Sequence, residues 1–231
     1  MEYMDNQRHS VRSYDEELKG LNQLVITMAT ACSKQLMEMK QALASRDDKI
    51  GKDIVAKDEF INELHQEIEN TAIKILARRQ PLAQDLRHVL TVIKISRELE
   101  RIGDYAANVA KRVGHLSKNT YEAPERMLIV MAETADIMLG KAIEAFLHFD
   151  VDTSLSVWNM DDEIDTAYAS ILKLVQEEMA SDKKRITEGT QLNYMARCLE
   201  RIGDHIINMA EEIYFMTTGK NFSSHGAPED D

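Results

Sequence analysis

Apolar residues recur along most of this chain in alternating steps of three and four, the spacing that puts them on one face of an α-helix. The pattern is clearest near the end, at Leu192, Met195, Leu199, Ile202, Ile206, Met209, Ile213 and Met216. It occurs about a hundred residues earlier as Val92, Ile95, Leu99, Ile102, Ala106, Val109 and Val113. Seams of this heptad-like kind predict helices packed at shallow angles. Six helices are predicted, roughly over 15–45, 48–77, 81–113, 124–149, 152–180 and 189–217. Pro81 and Pro124 suit first helical turns, where a missing N–H costs nothing. Asp47-Asp48 and Asp150-Val151-Asp152 offer N-cap oxygens at two of the turns, and Gly219 can close the last helix.

The six helices fall into two copies of three. Ala42-Leu43…Asp47 matches Ala145-Phe146…Asp150 at an offset of 103, which also carries Asp58 to Asp161, Asn62 to Asp165 and Ile68 to Ile171. Closer to the third helices the offset is 100, and Arg97–Arg112 agrees with Arg197–Glu212 at nine of sixteen positions. The fold expected is all-α: two pseudo-symmetric antiparallel three-helix bundles, over residues 13–117 and 118–219. Residues 1–12 read as a flexible tail, 220–231 as a disordered one, and Gly114–Ala123 as the link between the copies.

Within the conserved stretch the string Glu-Arg-Ile-Gly-Asp stands twice, at Glu100–Asp104 and Glu200–Asp204, followed by Asn108 and Asn208. At about 100° per residue, Glu100, Asp104 and Asn108 lie within about 40° of the point opposite the apolar seam, as do Glu200, Asp204 and Asn208. A solvated helix face is the plain reading, since Arg101 and Arg201 are placed for ordinary helical ion pairs worth about 0.2–0.5 kcal/mol. Retention of Glu, Asp and Asn together in both copies, while Tyr105-Ala106-Ala107 has become His205-Ile206-Ile207, favours a site instead. Gly103 and Gly203 add weight, because a mid-helix glycine costs roughly 0.8–1.0 kcal/mol relative to alanine. Either a neighbouring helix or an ion with its ligands comes close to the backbone there.

The middle helices carry a second set of oxygens, Asp58 and Asn62 in the first copy, Asp161 and Asp165 in the second. If these meet the third-helix acids, their mutual repulsion invites a cation. With no cysteine and no paired histidine among them, the ligands suit hard ions (Mg²⁺, Ca²⁺, Mn²⁺ or iron) better than tetrahedral zinc. Their meeting cannot be read from periodicity alone. His65, His88 and His148 are scattered and read as packing or surface residues.

Composition narrows the function classes. The net charge of −12 argues against a general nucleic-acid binder. No apolar run approaches the roughly 20 residues of a membrane span, and Met1 to Ser10 has no signal-peptide core, so a cytoplasmic protein is expected. Cys32 and Cys198 sit in apolar helical contexts and read as buried thiols. There is no P-loop, dinucleotide turn, nucleophile elbow or acid–base constellation, and no catalytic residue is assigned; the chain is not expected to be an enzyme.

The doubled Leu-Glu-Arg-Ile-Gly-Asp, with Ala77-Arg78-Arg79-Gln80-Pro81 and Asp85-Leu86-Arg87 at the entry to the third helix, resembles the PhoU family of phosphate-signalling regulators. The resemblance runs from about Tyr14 to Phe222 and implies the fold already described. It further implies metal clusters at E/D-x-x-x-D motifs, here Glu100, Asp104, Asp58 and Asn62 in one copy, and Glu200, Asp204, Asp161 and Asp165 in the other. Asn108 and Asn208 would neighbour them, and Asn62 leaves the first site one charge short. It implies a non-enzymatic negative regulator of the phosphate-starvation response. Its partners would be the ATPase subunit of a phosphate ABC transporter and a sensor histidine kinase, and it would form a homodimer. A carboxylate-bridged metal storage or redox protein is the alternative drawn from the same oxygen ligands.

Overall fold

The computed structural model describes residues 2–116 and 121–222. Its helices are α1 (Glu2–Ser45), α2 (Asp48–Arg79), α3 (Ala83–Val113), α4 (Glu122–His148), α5 (Val151–Ser181) and α6 (Ile186–Thr218), with a 3₁₀ turn at Lys183–Arg185 leading into α6. The tight reversals after α1 and α4 have the same cause. Asp47 accepts from the Lys49 N–H at 2.9 Å, and Asp150 accepts from the Thr153 N–H at 3.1 Å and the Thr153 hydroxyl at 2.7 Å. Gly219 closes α6 in the left-handed conformation its φ of 75° requires.

Some boundaries differ from those predicted. Helix α1 begins inside the segment set apart as a tail, because Glu2–Arg12 contains no Pro or Gly to stop a helix propagating outward from the packed part. Pro81 precedes α3, since Leu82 is extended (φ −114°, ψ 150°) and acts as the N-cap. Helix α6 starts at Ile186, before Gly189, because the 3₁₀ turn hands over directly to it. At the other end, Phe222 lies within the expected disordered tail yet packs edge-on against Trp158 and Tyr214, with ring centroids 5.6 and 5.3 Å away. Residues 117–120 of the link and 223–231 of the tail lie outside the described residues.

Both third-helix seams are buried along their whole length, packed against Val25, Met28, Cys32 and Leu36 of α1 and Leu128, Met131, Ala135 and Met138 of α4. Within each repeat the three helices contact one another, while α1 against α4 and α3 against α6 join the repeats. Helices α2 and α5 touch only their own repeat and form the outer walls. The contacts between repeats obey a pseudo-twofold. Tyr105 and His205, equivalent positions, stack on each other with centroids 5.6 Å apart. Ser33 and Asp136, also equivalent, share a 2.7 Å hydrogen bond from the serine hydroxyl. Lys94 pairs with Glu212 at 2.8 Å, and at the counterpart positions the Arg112 guanidinium lies 3.5 Å over the Tyr194 ring.

Cys32 and Cys198 are buried free thiols. Burial pushes Cys198 up to about 11, and Cys32 higher still. Among the described residues no helix is long and apolar enough to cross a membrane. Ile202 has no exposure at all, so Ile202→Ala is expected to destabilise the protein by about 2–5 kcal/mol in chemical denaturation. An unchanged midpoint would mean that this seam is not the core.

Candidate metal centre

The predicted acid stripe does not point freely into solvent. Glu100 and Glu200 side chains are each 20 % exposed, and Asp104 and Asp204 are 37 % and 38 % exposed. The correction follows from packing: the outer helices α2 and α5 close over this face, so each stripe lines a groove between an outer and a central helix.

The glycines make that closure possible. A Cβ on Gly203 would come within 2.6 Å of Asp161 Oδ1 and 3.2 Å of Ile164 Cδ1. On Gly103 it would meet Ile61 Cδ1 at 3.0 Å, Gln35 Oε1 at 3.2 Å and Asp58 Oδ1 at 3.3 Å. Thus what approaches the backbone is a neighbouring helix: at Gly203 its leading atom is a carboxylate oxygen, and at Gly103 an isoleucine methyl leads with the carboxylate oxygen just behind. Asp58 is laid against Gly103 and Asp161 against Gly203, one residue from Asp104 and Asp204.

The acids of the two helices therefore meet. Burial, followed by the charges of Asp165 and Asp204, pushes the Asp161 carboxyl up to about 7. Asp165 is raised by burial and then by Asp204, and Glu200 by burial and then by Asp204. In the first repeat burial raises Asp58, and the Asp104 charge adds to it, but a hydrogen bond from Gln35 opposes the rise. Burial and Asp104 raise Glu100, against the pull of Arg101 and His65. No donor like Gln35 serves Asp161, because the equivalent position is Met138. Arg101 sits between Glu100 (3.3 Å) and Asp104 (3.3 Å), and Arg201 between Glu200 (3.6 Å) and Asp204 (2.9 Å). The plain ion-pair reading is thus present on the rim. It leaves two inner oxygens unserved, since Asp161 Oδ1 and Gln35 Oε1 are buried without a hydrogen-bond partner, while Glu200 Oε2 has only the 3.6 Å approach of Arg201.

The remaining predicted residues divide. Asn62 is half-buried on α2 one turn after Asp58, and Asn108 half-buried on α3 one turn after Asp104. Asn208 does not serve the acid pair; its amide donates to Glu98 Oε2 at 3.0 Å, and His205 Nδ1 lies 2.7 Å from the same oxygen. Each four-residue step turns about 40° round the helix, so Asn208 has rotated away from Glu200 towards α3. His88 belongs to the core, stacked on Phe146 at 5.8 Å. His65, by contrast, stands beside Glu100 and Ser96. Gln35 escaped the sequence reading although a signal existed: it occupies a seam position in the series Met28, Cys32, Gln35, Met39, where a buried amide needs a reason.

An all-oxygen, mostly anionic groove with unpartnered inner oxygens fits a hard divalent cation. Among the described residues no three of His, Cys, Asp or Glu already converge tightly enough to hold one, so binding has to draw the side chains inward.

A pH dependence follows for Asp161. Its folded value lies above the ordinary 3.8, so the folded state holds a proton the unfolded chain has lost. Its contribution to stability is expected to fall as pH rises from about 4 to about 7, then level off, and Asp161→Asn should flatten that segment of the denaturation profile. A variant profile parallel to the wild type would mean that Asp161 titrates normally.

Comparison with known proteins places this geometry in context. The family model described as the PhoU domain matches residues 25–113 and again 128–213. The chain is 37 % identical over 217 residues to the phosphate-specific transport system accessory protein PhoU homolog of Caulobacter vibrioides, covering 94 % of each. It is 38 % identical over 212 residues to that of Zymomonas mobilis, covering 92 % of this chain and 90 % of the relative. Crystal structures superpose closely. The phosphate transport system regulatory protein PhoU of Streptococcus pneumoniae gives a TM-score of 0.84 at 30 % identity, covering 91 % of this chain and 99 % of that one. PhoU of Pseudomonas aeruginosa gives 0.84 at 31 %, covering 89 % and 99 %.

Proposed function

The chain belongs to the PhoU family, and from that premise we propose that it is a non-enzymatic cytoplasmic adaptor that represses the phosphate-starvation response when phosphate is plentiful. Its role lies in the regulation of phosphate transport. The finer reading is that it binds the ATPase subunit of a phosphate ABC transporter and a sensor histidine kinase, as a homodimer, and passes the transporter's state to the kinase. Such coupling requires different affinities for two partner states, since equal affinity shifts no equilibrium.

The observation that supports a metal-dependent surface is the repeated groove, where an outer-helix carboxylate lies on a central-helix glycine beside Glu-x-x-x-Asp. Asp58, Asn62, Glu100 and Asp104 would hold one ion, and Asp161, Asp165, Glu200 and Asp204 the other. Bound there, a divalent cation supplies charge neutralisation. The chain's own residues would do the rest: paired carboxylates would draw α2 onto α3 and α5 onto α6, stiffening the outer walls, as Arg101 and Arg201 give up their partners from the rim to the groove. A docking partner would then meet a rigid, less acidic face.

Two measurements test this reading. Replacing Glu200 and Asp204 together with alanine should remove one equivalent of bound divalent metal by elemental analysis while leaving helical circular dichroism intact; full metal content in that variant contradicts the assignment. Deleting the gene should switch on phosphate-scavenging genes in phosphate-rich medium, and unchanged expression contradicts the regulatory role.

A further inference from the structure

The two acid grooves are chemically unlike. Where Asp165 stands in the second repeat the first has Asn62, so the α2–α3 groove lacks one carboxylate. Two other side chains turn towards that groove, and neither has a similar counterpart across the pseudo-twofold.

Gln35, on α1, is 4 % exposed. Its amide nitrogen donates to Asp58 Oδ1 at 3.1 Å, and its buried oxygen has no hydrogen-bond partner. That oxygen faces the Gly103 notch, at 3.2 Å from the place a Cβ would occupy, and Asp58 Oδ1 is 3.3 Å from the same point. A carbonyl-type oxygen and a carboxylate oxygen side by side, one of them unserved, is an arrangement that a cation relieves. The corresponding residue in the second repeat is Met138, which offers no such oxygen.

His65 lies seven residues after Asp58 and three after Asn62, on the same face of α2. Its Nδ1 is 3.0 Å from Ser96 Oγ. The Ser96 hydroxyl proton is already committed, donated to the Ile93 carbonyl at 2.8 Å, so this oxygen accepts from the ring. Hence Nδ1 carries the hydrogen, and in the neutral imidazole the lone pair resides on Nε2. Nε2 is 3.6 Å from Glu69 Oε1, too far for a hydrogen bond. One ring nitrogen tied to an oxygen and the other without a hydrogen bond, with only the Glu69 carboxylate near it, is a state from which a histidine can ligate a metal. Ser96 stands one turn before Glu100 on α3, so the contact with Ser96 places the ring at this end of the groove. Across the pseudo-twofold its counterpart is Tyr168.

Resting on the metal reading above, we infer that the first repeat holds a mixed nitrogen–oxygen centre, in which His65 Nε2 and Gln35 Oε1 join Asp58, Glu100 and Asp104 in place of the missing carboxylate. The second centre remains all-oxygen. An imidazole ligand shifts preference towards transition ions such as Co²⁺ or Zn²⁺, whereas carboxylates alone leave Mg²⁺, Ca²⁺ and Mn²⁺ competitive. The two repeats therefore select different ions, and one chain can respond to two metals.

The test uses the full chain with metal alone. Co²⁺ and Mg²⁺ affinities are measured by calorimetry, and nitrogen coordination by electron spin-echo modulation of bound Mn²⁺, for the wild type, His65→Asn, Gln35→Met and Asp58→Asn. His65→Tyr, which installs the second repeat's residue, serves if the asparagine destabilises α2 by circular dichroism. The inference expects His65→Asn to weaken Co²⁺ binding at one of two sites at least tenfold and abolish the imidazole modulation, with Mg²⁺ binding at the other site unchanged. Gln35→Met should weaken that Co²⁺ site as well. Binding lost with Asp58→Asn but untouched by His65→Asn overturns the mixed centre while leaving the metal reading intact. A wild type that binds neither ion overturns both.

Discussion

One close approach organises the molecule: an aspartate of each outer helix set against a glycine of each central helix. At Gly203 a Cβ would stand 2.6 Å from Asp161 Oδ1, so any side chain there must push the carboxylate aside. The glycine weakens the helix by roughly 0.8–1.0 kcal/mol, and the acids it admits repel one another. Packing of buried Ile61 and Ile164 onto the same glycines, and the ion pairs of Arg101 and Arg201, offset these costs only in part, since Asp161 Oδ1 keeps no partner. The arrangement makes sense as a site that folding tolerates and a bound cation stabilises. The raised carboxyls of Asp58, Asp161, Asp165, Glu100 and Glu200 record the same tension, with burial as the first cause in every case.

The pseudo-twofold decides where this tension can be used. Helices α1, α3, α4 and α6 form the inner layer, and their contacts across the axis include the Tyr105–His205 stack and the Ser33–Asp136 hydrogen bond. Helices α2 and α5 touch only their own repeat. Tightening or loosening a groove therefore moves an outer wall against a fixed frame. That geometry suits an adaptor whose partners read the outer faces, and it keeps the two grooves independent enough to differ in chemistry.

Most of the architecture was legible in the sequence because three-four periodicity and a doubled string survive in it. The seam residues of α3 and α6 are all buried, and Asp47 and Asp150 cap the helices they precede. Legibility failed where the answer depended on a second helix. A helical wheel places Glu100 and Asp104 opposite their own seam, yet cannot know that α2 covers them. It likewise cannot show Asp58 reaching Gly103, which needs the crossing of two helices. Gln35 escaped although it interrupts a seam, because its partner Asp58 is on another helix, and His65 read as a packing or surface residue because its contact with Ser96 also depends on a second helix. The rotation of Asn208 towards Glu98, by contrast, follows from counting 40° per four-residue step.

The most direct measurement is anomalous diffraction from crystals of the full chain soaked in Mn²⁺. The account predicts one peak in each groove, beside Gly103 between α2 and α3 and beside Gly203 between α5 and α6, with the carboxylates drawn in around them. Grooves without anomalous density, or peaks confined to other acidic patches of the surface, would contradict it.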